Sequence, residues 1–198
     1  MRRAEKEWAT QRGEKAGKMS LYRWLDYMRK LTSQSPKARV RVVYTTSGTN
    51  IAATVVTGPY AYNVDGFGLP LSGFVADIKT FVCELETLEE AYYLSAVLNS
   101  SFINNAIKPM QSRGLLGERD IHKKLLELPI PRYDHGNAEH RRLSKLGSLC
   151  SAKAKSVLPT LSKSHRSLAT IRGTMRKELS AQLLEIDEMV KGMMIGTP

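Results

Sequence analysis

The sequence predicts an α+β fold: a small antiparallel or mixed sheet with a buried helix, flanked by an N-terminal basic helical arm and a C-terminal antiparallel helical hairpin. Three observations predict it. Side chains alternate with a period of two between Ala38 and Val56. Thr87 and Glu90 then stand ahead of the nearly all-apolar run AYYLSAVLNSSFINNAI (91–107). Beyond residue 140, apolar residues recur in steps of three and four. The boundaries that follow are 1–36 for the arm and its linker, 37–135 for the α+β domain and 136–198 for the helical hairpin.

Residues 3–30 mix Glu, Lys and Arg with Trp8, Leu21, Trp24, Leu25, Tyr27 and Met28. That pattern suits one or two helices broken near Gly13 and Gly17. LTSQSPK (31–37) reads as a linker, because Ser, Gln and Pro fall together. In ARVRVVY (38–44) the alternation puts Arg39 and Arg41 on an exposed face and Val40 and Val42 on the opposite one. IAATVV (51–56) follows after SGTN (47–50), so the two runs form a hairpin. A further β region spans roughly 71–85, giving three or four strands before the first core helix.

Thr87 and Glu90 form a capping box, and the helix it opens is expected to be buried and interrupted near 99–101. In the tail, Leu143, Leu146, Cys150, Ala154 and Val157 make one helical stripe. After Pro159, Leu168, Ile171, Met175, Leu179, Leu183, Ile186, Val190 and Met193 make a second. Packing against the domain is the plain reading of both stripes; helix-mediated self-association is the other.

A net charge of +11 and an ordinary globular composition favour an anionic partner, nucleic acid ahead of a membrane surface. The distribution sharpens this. Residues 1–41 hold 12 Lys and Arg against 4 Asp and Glu, residues 42–107 hold 1 against 6, and residues 108–198 hold 17 against 9. A basic, acidic, basic order suggests a scaffold in the middle with flanks that meet the partner. Cys83 and Cys150 are too few and too far apart for a metal site and read as buried free thiols. With no apolar stretch of membrane-spanning length and no signal peptide, a cytoplasmic setting and no membrane partner are expected.

The most informative stretch is RGLLGERDIHKKLLELPIPRYD (113–134). Gly114 and Gly117 permit turns closed to other residues, while Arg119, His122, Lys123 and Lys124 supply donors. Leu125, Leu126, Leu128 and Ile130 anchor an apolar strand behind them. The candidate DNA contacts are therefore Arg113, Arg119, His122, Lys123 and Lys124, joined by Gln111, Arg39 and Arg41. Arginine can fork onto guanine or phosphate, and can equally pair with Glu118, Asp120 or Glu127 as a structural ion pair. His122 lacks a marked catalytic partner and suits a phosphate contact better than general-base work.

No glycine-rich phosphate loop, GxGxxG, HExxH or Cys/His cluster is present. One catalytic alternative stands: Asp65 with Asp77-Ile78-Lys79 in a strand-like setting matches the acidic and lysine pattern of metal-dependent nucleases.

The blocks AYYLSAVLNSSFINNAI and RGLLGERDIHKKLLELPIPRYD, in that order and spacing, resemble the C-terminal target-recognition region of N6-adenine DNA methyltransferases and fused type II restriction-modification enzymes. Residues 30–53 look like the lead into those domains, and HRRLSKLGSLCSAKA and LLEIDEMV look like their closing helices, so the resemblance covers roughly residues 20–195. It implies a module that grips and reads double-stranded DNA beside a methyltransferase domain or subunit holding S-adenosylmethionine. This chain lacks the family's Asn/Asp-Pro-Pro-aromatic tetrapeptide and its glycine-containing cofactor motif. It is therefore expected to be non-catalytic, with no cofactor of its own, as a fragment of such an enzyme or a separate subunit.

Overall fold

A computed structural model describes residues 2–64, 67–114, 117–118, 120–121, 125, 127–164 and 167–196. Its centre is a three-stranded antiparallel sheet of β1 (Val40–Thr45), β2 (Ala53–Thr57) and β5 (Thr80–Leu85), ordered β2-β1-β5. Val42 pairs with Val55 on one side and Cys83 on the other. The period-two reading of residues 38–56 is thus a real hairpin, with β5 closing its second edge. Between them, β3 (Tyr60–Val64) and β4 (Phe67–Leu71) form a separate two-stranded ribbon, so the β region expected at 71–85 begins in earnest only at Thr80.

Helix α3 (Leu88–Asn99) lies on this sheet, its N-terminus capped by the Thr87 hydroxyl accepting from the Glu90 N–H. Ala91, Tyr93, Ala96, Val97 and Leu98 are all buried, because the sheet covers one side and a C-terminal helix the other. The expected interruption falls at Ser100, whose extended backbone ends α3 and whose hydroxyl accepts from Ile103 N to cap α4 (Ser101–Ile107). Two asparagines at this joint reach back to the sheet. Asn99 donates to Ala53 O at 2.8 Å and accepts from Ala53 N at 3.0 Å, while Asn104 Oδ1 accepts from Ile51 N at 2.6 Å. The start of the β2 arm, at Ile51 and Ala53, is therefore satisfied by side-chain amides in place of another strand.

The third layer is α5 (Ala138–Ser164), followed by α6 (Leu168–Glu178) and α7 (Ser180–Ile195), which run back along it. Arg142 pairs with Glu185 at 2.5 Å, and Lys153 Nζ bonds to the Glu178 carbonyl, so the direction is antiparallel. Pro159 does not end the helix as the stripe suggested. It sits inside α5, which continues to Ser164; the only hydrogen bond a proline there forgoes lies on an exposed face. The second stripe is in turn split at Leu179, where φ −97° and ψ 6° leave helical space. Gly147 makes the α3 and α5 approach possible: a Cβ there would stand 2.3 Å from the Tyr92 carbonyl oxygen.

The N-terminal arm consists of α1 (Arg2–Gln11), a 3-10 turn at Glu14–Ala16, α2 (Leu21–Leu25) and a 3-10 turn at Tyr27–Arg29, broken near the two glycines as expected. Both cysteines are free but half-buried rather than buried; burial is the main cause pushing each thiol's pKa up. Among the described residues no helix is long and apolar enough to cross a membrane.

Candidate nucleic-acid interface

The Arg113–Lys124 stretch is fastened to the tip of the β1–β2 hairpin. Beyond β1, Thr46 donates its N–H to Lys79 O on one side and accepts from Ile121 N on the other, each at 3.0 Å. Ser47 forms an antiparallel bridge with Asp120. The Gln111 amide donates to Gly48 O at 3.0 Å, and the Ser112 hydroxyl donates to Asp120 Oδ2 at 2.6 Å. Gly48 has φ +132°, a conformation that favours glycine and lets the turn present its carbonyl to Gln111. Between these fastenings the backbones of Arg113 and Glu118 pair as β6 (Arg113–Gly114) and β7 (Gly117–Glu118), a miniature ribbon. Ile121 and Leu125, 1% and 2% exposed, plug its base into the core.

Of the residues read from the sequence as DNA contacts, Arg119, His122, Lys123 and Lys124 lie outside the described residues, and Leu126 and Asp65 do as well. The backbone of Arg113 is placed by β6. Gln111 is buried, and its amide is committed to Gly48, so it holds the loop from below; its Oε1 has no partner among the described residues.

Arg41 corrects the sequence reading. The alternation of β1 is right, but the face that carries Arg41 is covered by residues 34–36 and 73–76. Arg41 is 0% exposed, donates Nη1 to Phe74 O at 2.8 Å and Nη2 to Ser35 O, and stacks 4.3 Å from the centre of the Phe74 ring. Glu84 stands 3.9 Å from its Nε. The same cover is held by a reciprocal pair between the Gln34 amide and the Ala76 backbone. Such a guanidinium is a structural staple and cannot also reach phosphate. Arg39 is exposed, but it precedes the opposite end of β1, roughly 20 Å from the loop at about 3.3 Å per residue. The structure therefore does not gather Arg39 and the loop into one patch.

Two exposed cations near the loop are not among the DNA contacts read from the sequence, Lys79 being placed there in the nuclease pattern and Lys108 in none. Lys79 ends the turn bonded to Thr46, and Lys108 opens the short 3-10 turn that leads into Gln111. Only the pairing of Thr46 with both neighbours brings Lys79 to the loop, a contact no local pattern encodes.

The nuclease pattern loses its strand-like setting. Asp77 and Lys79 lie in the turn before β5, where the Asp77 carboxylate accepts from its own Lys79 N–H at 2.7 Å. Among the described residues the apolar run after the loop is likewise no strand: Leu125 and Glu127 have 3-10 backbone and residues 128–134 are irregular, with Leu128 and Ile130 half-buried against the core. Behind it lies a cluster the sequence did not announce. His140 is buried and accepts from Asp134 N at Nδ1 (3.0 Å), its ring stands 4.8 Å from that of Tyr93, and Tyr93 donates to Pro131 O. Burial pushes the Tyr93 phenol up to about 12. These contacts hold the exit of the loop segment against α3 and α5. Compared with protein-family models, with curated proteins and with solved structures, the chain matches none of them.

Proposed function

We propose that this chain is a non-catalytic DNA-recognition module that positions and reads duplex DNA for a separate N6-adenine methyl-transfer domain. The observation that carries the reading is the fastening of residues 111–125 to the hairpin tip at both ends. Anchoring both ends of a basic, glycine-bearing segment limits the conformational freedom it can lose on meeting DNA, which lowers the entropic cost of binding. The overall charge of +11 supplies the polyanion attraction. Lys79 and Lys108 flank the same end of the sheet and suit phosphate contacts, which position, while Arg113 and Arg119 suit base contacts, which specify. No step through S-adenosylmethionine is assigned to this chain, because the residues that would hold it are not in the sequence.

The test is selection from a random-sequence duplex library across a salt series, with sequencing of the retained pool. Enrichment of one short motif with steep salt dependence is expected. Lys123→Ala and Lys124→Ala should each lower the salt slope by about one. Arg119→Ala should cost about 1–3 kcal/mol at one base position. Salt-sensitive retention without enrichment reduces the module to backbone positioning. No retention at low salt overturns the reading and turns attention to the exposed Leu168, Leu184 and Ile195 of the helical hairpin as a protein-binding face.

A further inference from the structure

Both tryptophans of the chain, Trp8 and Trp24, stand in the N-terminal arm, their ring centroids 6.2 Å apart. The Arg12 guanidinium lies 5.4 Å from the Trp8 ring centre. Apart from Ala16 and Leu21, which are buried, the apolar surface of this arm is largely left to solvent. Helix α1 buries none of its residues, and Tyr22, Trp24, Tyr27 and Met28 are 50%, 48%, 48% and 65% exposed. Exposed aromatic side chains concentrated in so short a segment mark an interaction surface.

Its chemistry is mixed along the chain. Arg23 and Arg29 interleave with Tyr22, Trp24 and Tyr27, and residues 1–30 carry nine Lys and Arg against four Asp and Glu. Arg2, Arg3, Lys6 and Arg23 enter no ion pair among the described residues, and Arg29 carries its charge beside the Asp26 carboxylate. The backbone adds an independent sign. Met28 and Arg29 both have φ 58°, the left-handed region that costs a non-glycine residue about 1–2 kcal/mol. This turn is held open by Asp26, whose carboxylate accepts from Leu31 N, Thr32 N and the Thr32 hydroxyl. Those bonds, the Thr32 hydroxyl foremost, draw the Asp26 carboxyl below its usual range. Strain maintained at an exposed aromatic turn points to function.

We propose that this arm is a second nucleic-acid site, independent of the Arg113–Lys124 loop, that takes unpaired bases on Tyr22, Trp24 and Tyr27 and phosphates on Arg23 and Arg29. Stacked duplex bases offer no face to these rings, whereas every unpaired base does. A membrane-surface helix needs a long apolar face, and α2 has five residues before the chain turns.

The experiment is a titration of the full chain with a short oligothymidylate and with a duplex of equal length, read by intrinsic tryptophan fluorescence. Quenching by the single strand at concentrations that leave the duplex without effect is expected. Tyr22→Ala and Tyr27→Ala retain both reporters and sit at exposed positions, so folding is checked by circular dichroism. Each should weaken single-strand binding about 5- to 150-fold, the equivalent of the stacking free energy of one base, and leave duplex binding unchanged. Equal affinity for the two forms, or tyrosine variants that bind as the parent does, overturns the proposal. A blue shift on anionic phosphatidylserine vesicles without response to the oligonucleotide also overturns it and identifies a membrane surface. Lys123→Ala, which acts on the loop, should leave the single-strand quenching intact, so the two nucleic-acid readings fail separately.

Discussion

Replacing Arg41 by methionine separates a buried staple from a phosphate contact. Methionine keeps an unbranched stem of similar length, so the packing on Phe74 largely survives and the change isolates the guanidinium. What goes is the pair of charge-assisted hydrogen bonds to Phe74 O and Ser35 O. At about 1.5–3 kcal/mol each, their loss alone would be about 3–6 kcal/mol. Two effects reduce it. Removing the cation also removes the cost of keeping it out of water, including that of the unpartnered Nε. Glu84, whose side chain is 35% exposed, still accepts from Ser35 N at 2.6 Å, so its charge is not stranded. The net expectation is a destabilisation of about 2–4 kcal/mol, read as a shift in urea midpoint by circular dichroism with the slope unchanged. The salt slope for DNA should stay that of the parent. A stability change below about 0.5 kcal/mol accompanied by a salt slope lower by about one would refute the burial argument and restore Arg41 to the phosphate backbone. Arg39→Ala, at an exposed site, is the matched control and should change stability by no more than about 0.5 kcal/mol.

Gly147→Ala should destabilise by about 1–3 kcal/mol or more in urea unfolding, because the new methyl would meet the Tyr92 carbonyl at 2.3 Å and force α3 and α5 apart; a neutral result would mean that this helix pair slides freely. Asn99→Asp keeps the acceptor for Ala53 N but loses the donor to Ala53 O, leaving two oxygens opposed. A loss of about 1–3 kcal/mol with faster amide exchange along β2 is expected, and unchanged exchange would show that the edge needs no amide. Burial raises the pKa of the Tyr44 and Tyr93 phenols to about 12 from 10.0. The folded state therefore holds two protons that the unfolded state releases. Their contribution is complete below pH 10 and is lost as pH rises from 10 to 12, about 2–3 kcal/mol for each group. Tyr93→Phe should remove its share of that alkaline decline, measured by urea unfolding across the range.

The sheet hairpin, the capped core helix with its break and the antiparallel tail could be read from the sequence because each rests on a local rule: alternation, a hydroxyl three residues from an amide, and steps of three and four. The fate of Arg41 could not. Alternation assigns a face, and whether that face meets water depends on residues 34–36 and 73–76 arriving over it from elsewhere in the chain. Pro159 misled for the converse reason: the rule that proline stops a helix assumes that the lost bond matters, and on an exposed face of a long packed helix it does not. At the candidate site, the glycine-bearing basic loop was legible as a segment. Its mooring to Thr46, Ser47 and Gly48 was not, since Gln111, Ser112 and Asp120 reveal their roles only when the hairpin tip is beside them. Lys79, read first as part of a nuclease pattern, joins the loop end by the same long-range contact.

The mooring has a consequence for how such a chain can diversify. Gln111 and Ser112 on one side and Asp120 and Ile121 on the other close a neck, and the bonds that hold it are made by the neck residues themselves and by the hairpin tip. Among the described residues, each of these bonds joins groups outside positions 113–119. Anchorage and the residues anchored are thus supplied by different stretches of the chain, so that substitutions at 113–119 leave these particular bonds their partners.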